Sequence, residues 1–388
     1  MSLPVSMISA ALVAALVGYG STIALVLAAA AAVGADAAQT ASWVAAICFS
    51  KAIGSALLST WKKVPVVLAW STPGAALIAA STGVDIHQAV GAFVFAGALI
   101  ALTAAVRPLN RAVNAIPTGI ASGMLAGVLL PFAMAVATHA ANEALLVLPL
   151  VAVFLLVRIV NPLMAVLAAL VTGFVIAFTF GGAVLPPAPE SWALLTFITP
   201  EFDGAVLLGL GLPLYLVTMA SQNLPGFAVL RANGYEPPVT QALGATGLLS
   251  AFFALFGAHT VNMAAITAAI CLGEDVHPDR TQRWKVGLVY AAIWTALGLS
   301  GPVVVPAILA MPPAIIAVVA GLALISPLIG AIVSSFDLPA TRFAAAATFA
   351  VTASGVAAFG IGAAFWGLLA GLLVHLLDHA KRGNRARP

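Results

Sequence analysis

Three short polar clusters interrupt otherwise apolar sequence, and each carries groups able to hold an anion. Ser221, Gln222 and Asn223 stand in 212–226, LPLYLVTMASQNLPG, just before Pro225 and Gly226. Ser71, Thr72, Pro73 and Gly74 lie in the middle of 64–80, VPVVLAWSTPGAALIAA, and His259, Thr260 and Asn262 open 258–272, AHTVNMAAITAAICL. Hydroxyls and amides donate hydrogen bonds without repelling a carboxylate. A helix start adds free backbone N–H groups and the positive end of the helix dipole. The β-branched start of 64–80 predicts a short extended piece, then a half-helix with Thr72 as N-cap and Pro73 at its first position. The stretch 258–272 predicts the same arrangement with Asn262 as the cap. Two half-helices starting at mid-membrane would aim their N-termini at one cavity, and an anion is the natural occupant.

The elements that must position these groups are membrane spans. The chain has 388 residues, 63% apolar and 7% charged, with a mean hydropathy of +1.14, whereas soluble domains carry about 25% charged residues. This is an all-α polytopic membrane protein. In hydrocarbon a helix is interrupted only where protein or a water-filled cavity takes up the freed backbone groups, which makes 212–226 a candidate binding site. The longest polar interval, 181–203, is rich in Pro and reads as an external loop, so no large soluble domain is present. Cys48 and Cys271 sit in or beside apolar runs and read as small packing residues rather than a disulfide or a metal pair. Nothing in the pattern calls for a cofactor or metal. The net charge of +3 comes mostly from loops and reports topology, not a nucleic-acid partner. The run 7–33 lacks a basic n-region and is too long for a signal segment, so it is the first span.

A span needs about 20 apolar residues. On that rule fourteen segments are expected, at 7–33, 39–60, 65–80, 87–105, 112–137, 143–157, 161–180, 204–224, 238–257, 260–272, 284–300, 312–333, 341–356 and 360–378. The positive-inside rule checks the count, because Lys and Arg must collect in alternate loops. Every one of the fifteen except Lys51 does so: Lys62, Lys63, Arg107, Arg111, Arg158, Arg231, Arg280, Arg283, Lys285, Arg342, Lys381, Arg382, Arg385 and Arg387. The opposite loops hold Asp36, Asp85, Glu143, Glu190, Glu201 and Asp203. Both termini are therefore expected in the cytoplasm.

The chain also repeats itself weakly. Leu16-Val17 with Gly20-Ser21 recurs as Leu216-Val217 with Ala220-Ser221, and Ile116-Pro117 with Ala126-Gly127 recurs as Met311-Pro312 with Ala320-Gly321. Two halves of seven spans follow, and an odd number inverts the second half in the membrane. Inverted repeats with discontinuous helices mark secondary transporters, whose substrates bind near the midplane.

Other residues carry two readings each. Gln222 and Asn223 can contact substrate or hydrogen-bond across helices. Ser71, Thr72 and Asn262 cap helices, and the same caps would locate the N–H groups that hold a carboxylate. Tyr19 and Ser21 would suit an aromatic acid, or Tyr19 fills a helix seam. Met219 and Met263 line an apolar slot or fill gaps. His259 can carry a proton or close the outer end of its span. Lys51, the one basic residue inside a span, must snorkel, pair or face water, and pairing or snorkelling ranks ahead of a counter-charge role. Gly119, Gly123 and Gly127, like Gly367 and Gly371, give small-xxx-small spacing for close helix contact. No HExxH, GxSxG or pair of intramembrane carboxylates is present to support an intramembrane enzyme. A passive channel stays open as an alternative to a carrier.

The strings PLYLVTMASQNLPG, VLAWSTPGAALIA, NMAAITAAIC with the following HPD and RW, VTASG and GIGAAFWGL together resemble the benzoate/proton symporter family (BenE), over essentially the whole chain. The family is similar in fold to uracil permeases and sulfate-permease-like transporters. The resemblance implies a core domain (1–105 and 203–300), a gate domain (106–182 and 301–380), a cytoplasmic basic tail (381–388), and third and tenth spans that are each half strand and half helix. It implies an inner-membrane importer of a small aromatic carboxylate with protons, surrounded by lipid bilayer, and it admits a homodimer through gate helices. Nucleobase-carrying relatives use carboxylates on the eighth and tenth spans. Here amides and hydroxyls stand instead, which favours an organic anion over a nucleobase or another cargo of the same fold, since a buried Glu would repel a carboxylate.

Overall fold

The computed structural model describes residues 4–106, 115–187 and 194–385. Arg107, Arg111, Glu190 and Arg387 lie outside the described residues. The chain is helical almost throughout. α1 (Val5–Gly20) and α2 (Ile23–Ala32) form one apolar run broken at Ser21-Thr22, where the Thr22 hydroxyl donates back to the Gly18 carbonyl at 2.8 Å. α3 (Ala37–Lys62) starts at an Asp36–Gln39 capping box, and α5 (Ile86–Ala105) at an Asp85–Gln88 box; the first satisfies two and the second three of the four orphan N–H groups at a helix start. α6 (Thr118–Asn142), α7 (Ala144–Val160) and α8 (Ala165–Thr179) follow. The second half holds α9 (Gly204–Ala232), α10 (Val239–Ala254), α12 (Val286–Leu299), α13 (Gly301–Leu309), α14 (Pro313–Phe336), α15 (Arg342–Ala353) and α16 (Ala363–Arg385).

Counting α1 and α2 as one, six helices are long and apolar enough to cross a membrane among the described residues, or seven if the pair bent by 61° at Ser300 is one span. Four further expected segments fall on shorter apolar helices, α7, α8, α10 and the apolar part of α16. No span is expected from the sequence between 300 and 312. α13 occupies that stretch, with Pro302 in its first turn, where a missing N–H costs nothing.

Two strands interrupt the helices. β1 (Leu68–Trp70) leads into α4 (Thr72–Ala79), and β2 (Val261–Met263) precedes α11 (Ile266–Leu272). They pair antiparallel, with Leu68 opposite Met263 and Trp70 opposite Val261. A two-stranded ladder leaves outer backbone groups unpaired, and in apolar surroundings each must find a partner. Serines from the flanking helices supply them. Leu68 N–H donates to Ser55 Oγ at 3.0 Å and Val66 N–H to Ser59 Oγ at 3.0 Å, both on α3. Val261 N–H donates to Ser250 Oγ on α10 at 3.0 Å, and the Tyr290 hydroxyl donates to the Leu68 carbonyl at 3.0 Å. Orphaning a buried donor costs about 1–3 kcal/mol. Ser250→Ala is therefore expected to lower stability by about that amount, with a corresponding drop in the thermal midpoint of the detergent-solubilised protein.

Glycines set the closest helix crossings. A Cβ on Gly119, Gly123 or Gly127 of α6 would press on Ser335 and Thr341, on Ala345, and on Thr352 and Ala353, while one on Gly367 or Gly371 of α16 would strike Thr352 or Thr348. α15 is thus held between two glycine-lined faces, as the small-residue spacing predicts. Arg283 closes the end of α11: buried, it donates from Nε to the His277 carbonyl at 2.7 Å and from Nη1 to the Leu272 carbonyl at 3.0 Å. A cation at that place complements the negative end of the helix. Beside it, hydrogen bonds from the Thr281 hydroxyl and amide hold the exposed Asp279 carboxyl below its ordinary range.

Candidate functional site

The strand pair brings the three polar clusters together. Thr218 of α9 donates to Ser71 Oγ at 3.1 Å and lies 2.8 Å from Thr260 Oγ1, so the three hydroxyls form one buried chain across α9, the start of α4 and the entry to β2. Ser71, not Thr72, caps α4: its Oγ accepts from Gly74 N–H at 3.1 Å. The shift by one residue follows from the backbone, since Ser71 is extended and Thr72 already helical. Asn262 does not cap α11. It lies within β2, while Ala265 precedes the helix without a side-chain cap.

The expected break at Pro225-Gly226 is also corrected. α9 runs through it, with wide π-type turns at Leu207–Gly211 and Met219–Asn223. Pro225 follows directly on the second wide turn, where the hydrogen-bond register of the helix is already shifted, and the helix continues through it. The wide turn carries Ser221, Gln222 and Asn223. Asn223 is fully buried, and its Oδ1 accepts from Met263 N–H at 2.9 Å while Nδ2 faces the Met219 sulfur at 3.5 Å. That amide holds β2 against α9. Gln222 is half-buried; its Oε1 accepts from Asn262 Nδ2 at 3.4 Å. Asn262 Nδ2 also donates to the Met263 carbonyl at 2.8 Å, and its Oδ1 is buried with no hydrogen-bond partner among the described residues. A Cβ on Gly226 would strike Met263 and Ala264, so only glycine lets α9 approach β2 this closely. Met219 and Met263 are both buried at this contact.

His259 is not at an outer end. It is fully buried, and both ring nitrogens are engaged: Trp43 Nε1–H donates to Nδ1 at 3.0 Å, and Nε2 lies 3.2 Å from the Ser71 carbonyl. Trp43 can only donate and the carbonyl can only accept. The proton is therefore fixed on Nε2 and the ring is neutral, bracing the start of α4. His259→Gln is expected to lower the thermal midpoint while leaving the proton dependence of any transport intact, a split that paired melting and uptake measurements would check.

An aromatic cluster completes the site. Tyr19 of α1 lies 6.0 Å from both Trp70 and Trp294, Trp70 and Trp294 are 5.3 Å apart edge to face, and Tyr290 is 5.8 Å from Trp294. Trp70 Nε1–H donates to Thr22 Oγ1, tying β1 to the break between α1 and α2, beside half-buried Ser21. The Tyr19 hydroxyl and Trp294 Nε1–H are buried donors with no hydrogen-bond partner among the described residues. Lys51 reaches this cluster from α3. It is 1% exposed, with Nζ 2.9 Å from the Trp294 ring centroid and 4.0 Å from that of Trp70. It neither snorkels nor pairs with a carboxylate; among the described residues the one basic side chain within 4 Å of a carboxylate is His139, beside Glu143. Position and apolar context marked Lys51 in the sequence, but its aromatic surroundings were not foreseeable there.

Lys51 and Arg283 are buried among the described residues, and no Asp or Glu is. Two open cavities lie elsewhere, one of about 400 Å³ lined by Lys63, Tyr235, Arg280 and Thr281, the other of about 390 Å³ along α6 beside Ala353. Neither touches the polar clusters.

The sequence matches the family described as BenE, benzoate membrane transport protein, over residues 1–377. It is 39% identical over 371 residues to the inner membrane protein YdcO of Escherichia coli, covering 95% of each chain. It is 31% identical over 339 residues to the benzoate membrane transport protein of Acinetobacter baylyi, covering 87% of this chain and 86% of that one. In fold it is similar to the transmembrane domain of a cyanobacterium bicarbonate transporter, BicA, with a TM-score of 0.62 at 15% identity over 95% of this chain and 97% of that one.

Proposed function

The chain belongs to the benzoate membrane transport protein family, and from that premise we propose that it imports a benzoate-like aromatic carboxylate together with protons. It is a multi-pass inner-membrane transporter, not an enzyme. The observation that carries the reading of its cargo is the absence of a buried carboxylate beside the polar clusters: Lys51 and Arg283 are buried among the described residues, and no Asp or Glu is. A site for a neutral base with N–H groups to satisfy would want acceptors, whereas a carboxylate wants donors.

In this reading the carboxylate sits beside the strand pair, between the starts of α4 and α11. Thr72 and the half-buried Gln222, whose Nε2 is a spare donor, contact it, and the ring lies toward Tyr19, Ser21, Met219 and Met263. Ser71, Asn223 and Asn262 support the site from behind. Fourteen spans in two inverted halves of seven, with both termini in the cytoplasm, accommodate the alternation of the basic loops. α1 to α5 and α9 to α12 then form a core that moves against a gate of α6 to α8 and α13 to α16, the general scheme of such carriers. A homodimer paired through the gate fits the same scheme.

Uptake of radiolabelled benzoate into proteoliposomes under an inward proton gradient tests the proposal. Accumulation that collapses with the gradient is expected. Absence of uptake for every aromatic acid would overturn it, inhibition by uracil but not benzoate would favour a nucleobase carrier, and flux without accumulation would favour a channel.

A further inference from the structure

We infer that Lys51 carries the transported proton, an inference that rests on the carboxylate-transport reading above. Three observations support it together. The amine is withdrawn from water into the rings of Trp70 and Trp294 without a carboxylate partner. It shares that cluster with the Tyr19 hydroxyl and Trp294 Nε1–H, buried donors that lack protein partners among the described residues. The other basic side chain near the strand pair, His259, already has both ring nitrogens committed.

The titratable groups around the cluster supply no counter-anion of their own. They are the Tyr19 phenol from α1, the Cys48 thiol on α3 itself, the Tyr290 phenol from α12, the Cys271 thiol from α11 and the His259 imidazole before β2. α2, α10, α13, β1 and β2 present no titratable side chain at all. A buried cation without an anion is costly, and aromatic faces recover only part of that cost. A lysine amine can escape it by giving up its proton, as an arginine cannot.

The coupling follows from charge balance. When a carboxylate enters from outside, the Nζ lone pair takes a proton from a hydronium ion of the external water: one O–H bond of the hydronium breaks, a new N–H bond forms, and water is left outside. Ammonium and carboxylate then cross as a neutral pair. When the carboxylate leaves to the cytoplasm, that N–H bond breaks, the proton goes to cytoplasmic water, and the neutral amine is left facing the rings. One proton moves with each carboxylate, and the empty carrier returns without charge.

Calorimetric titration of the purified full-length protein with benzoate, in buffers of different ionisation enthalpy, tests this. The wild type is expected to take up about one proton per bound benzoate near neutral pH, and Lys51→Arg to bind with about none, because proton linkage requires a group whose protonation differs between the two states. Lys51→Gln serves as a second variant should the guanidinium not fit. Binding by the wild type without proton uptake, or full uptake in either variant, would overturn the inference and leave the transport reading intact. No binding of any aromatic carboxylate by the wild type would overturn the transport reading itself.

Discussion

Benzoate uptake by the Gln222→Glu protein is expected to fall about a hundredfold, because two like charges about 4 Å apart at an effective dielectric near 20 repel by about 4 kcal/mol and screening recovers part of it. Gln222 is the half-buried amide on the wide turn of α9, with its Nε2 not committed to any protein acceptor among the described residues. Replacing the amide by a carboxylate conserves size and removes the donor. Lowering the pH should restore part of the uptake, since a protonated Glu no longer repels. Gln222→Met separates the two effects: it deletes the donor without adding charge and should cost about tenfold, the worth of one hydrogen bond to a charged group. Initial rates in proteoliposomes provide the readout, and wild-type rates in the Glu variant would remove Gln222 from the site.

Gly247→Leu should leave almost no folded protein. α5 and α10 cross with their backbones nearly touching: a Cβ at Gly247 would overlap Ala101 N, and one at Gly97 would lie 2.5 Å from Ala251 N. Overpacking costs about 1–3 kcal/mol where side chains can yield. Here the obstacle is backbone, so the helices themselves must separate. That movement would also pull Ser250 from the Val261 amide it caps. Gly330→Leu on α14 is the matched control, because nothing lies within 4 Å of its added Cβ. Size-exclusion profiles of fluorescently tagged protein should lose the monodisperse peak for the first variant and keep it for the second.

Local chemistry made the strand-to-helix segments legible. β-Branched residues followed by Ser-Thr-Pro-Gly specify an extended piece and then a helix start in any setting, and 64–80 folds that way. The cap slipped by one residue because Ser71 and Thr72 are chemically equivalent caps and only the backbone angles choose between them. Asn262 was misplaced for a different reason. Its backbone is drawn into β2 by pairing with Ala69 in the other half of the chain, and no local signal reports that partner. The same limit hid His259: the donor that fixes its tautomer, Trp43, is on α3. Pro225-Gly226 reads as a helix breaker in isolation, yet a widened turn just before it lets the helix continue. Lys51 stood out by type and position, but whether such a lysine snorkels, pairs or stacks depends on which helices surround it.

The β1–β2 ladder also constrains the order in which this protein can be made. Residues 68–70 leave the ribosome long before 261–263, so β1 enters the bilayer without its pairing partner. During that interval the hydroxyls available to its backbone from its own half are Ser55 and Ser59 of the neighbouring helix, at Leu68 and Val66. The Tyr290 hydroxyl on the Leu68 carbonyl arrives later still. The contacts of Ser55 and Ser59 are thus the part of this strand's hydrogen bonding that its own half of the chain supplies, and the remainder waits on residues encoded some two hundred positions later.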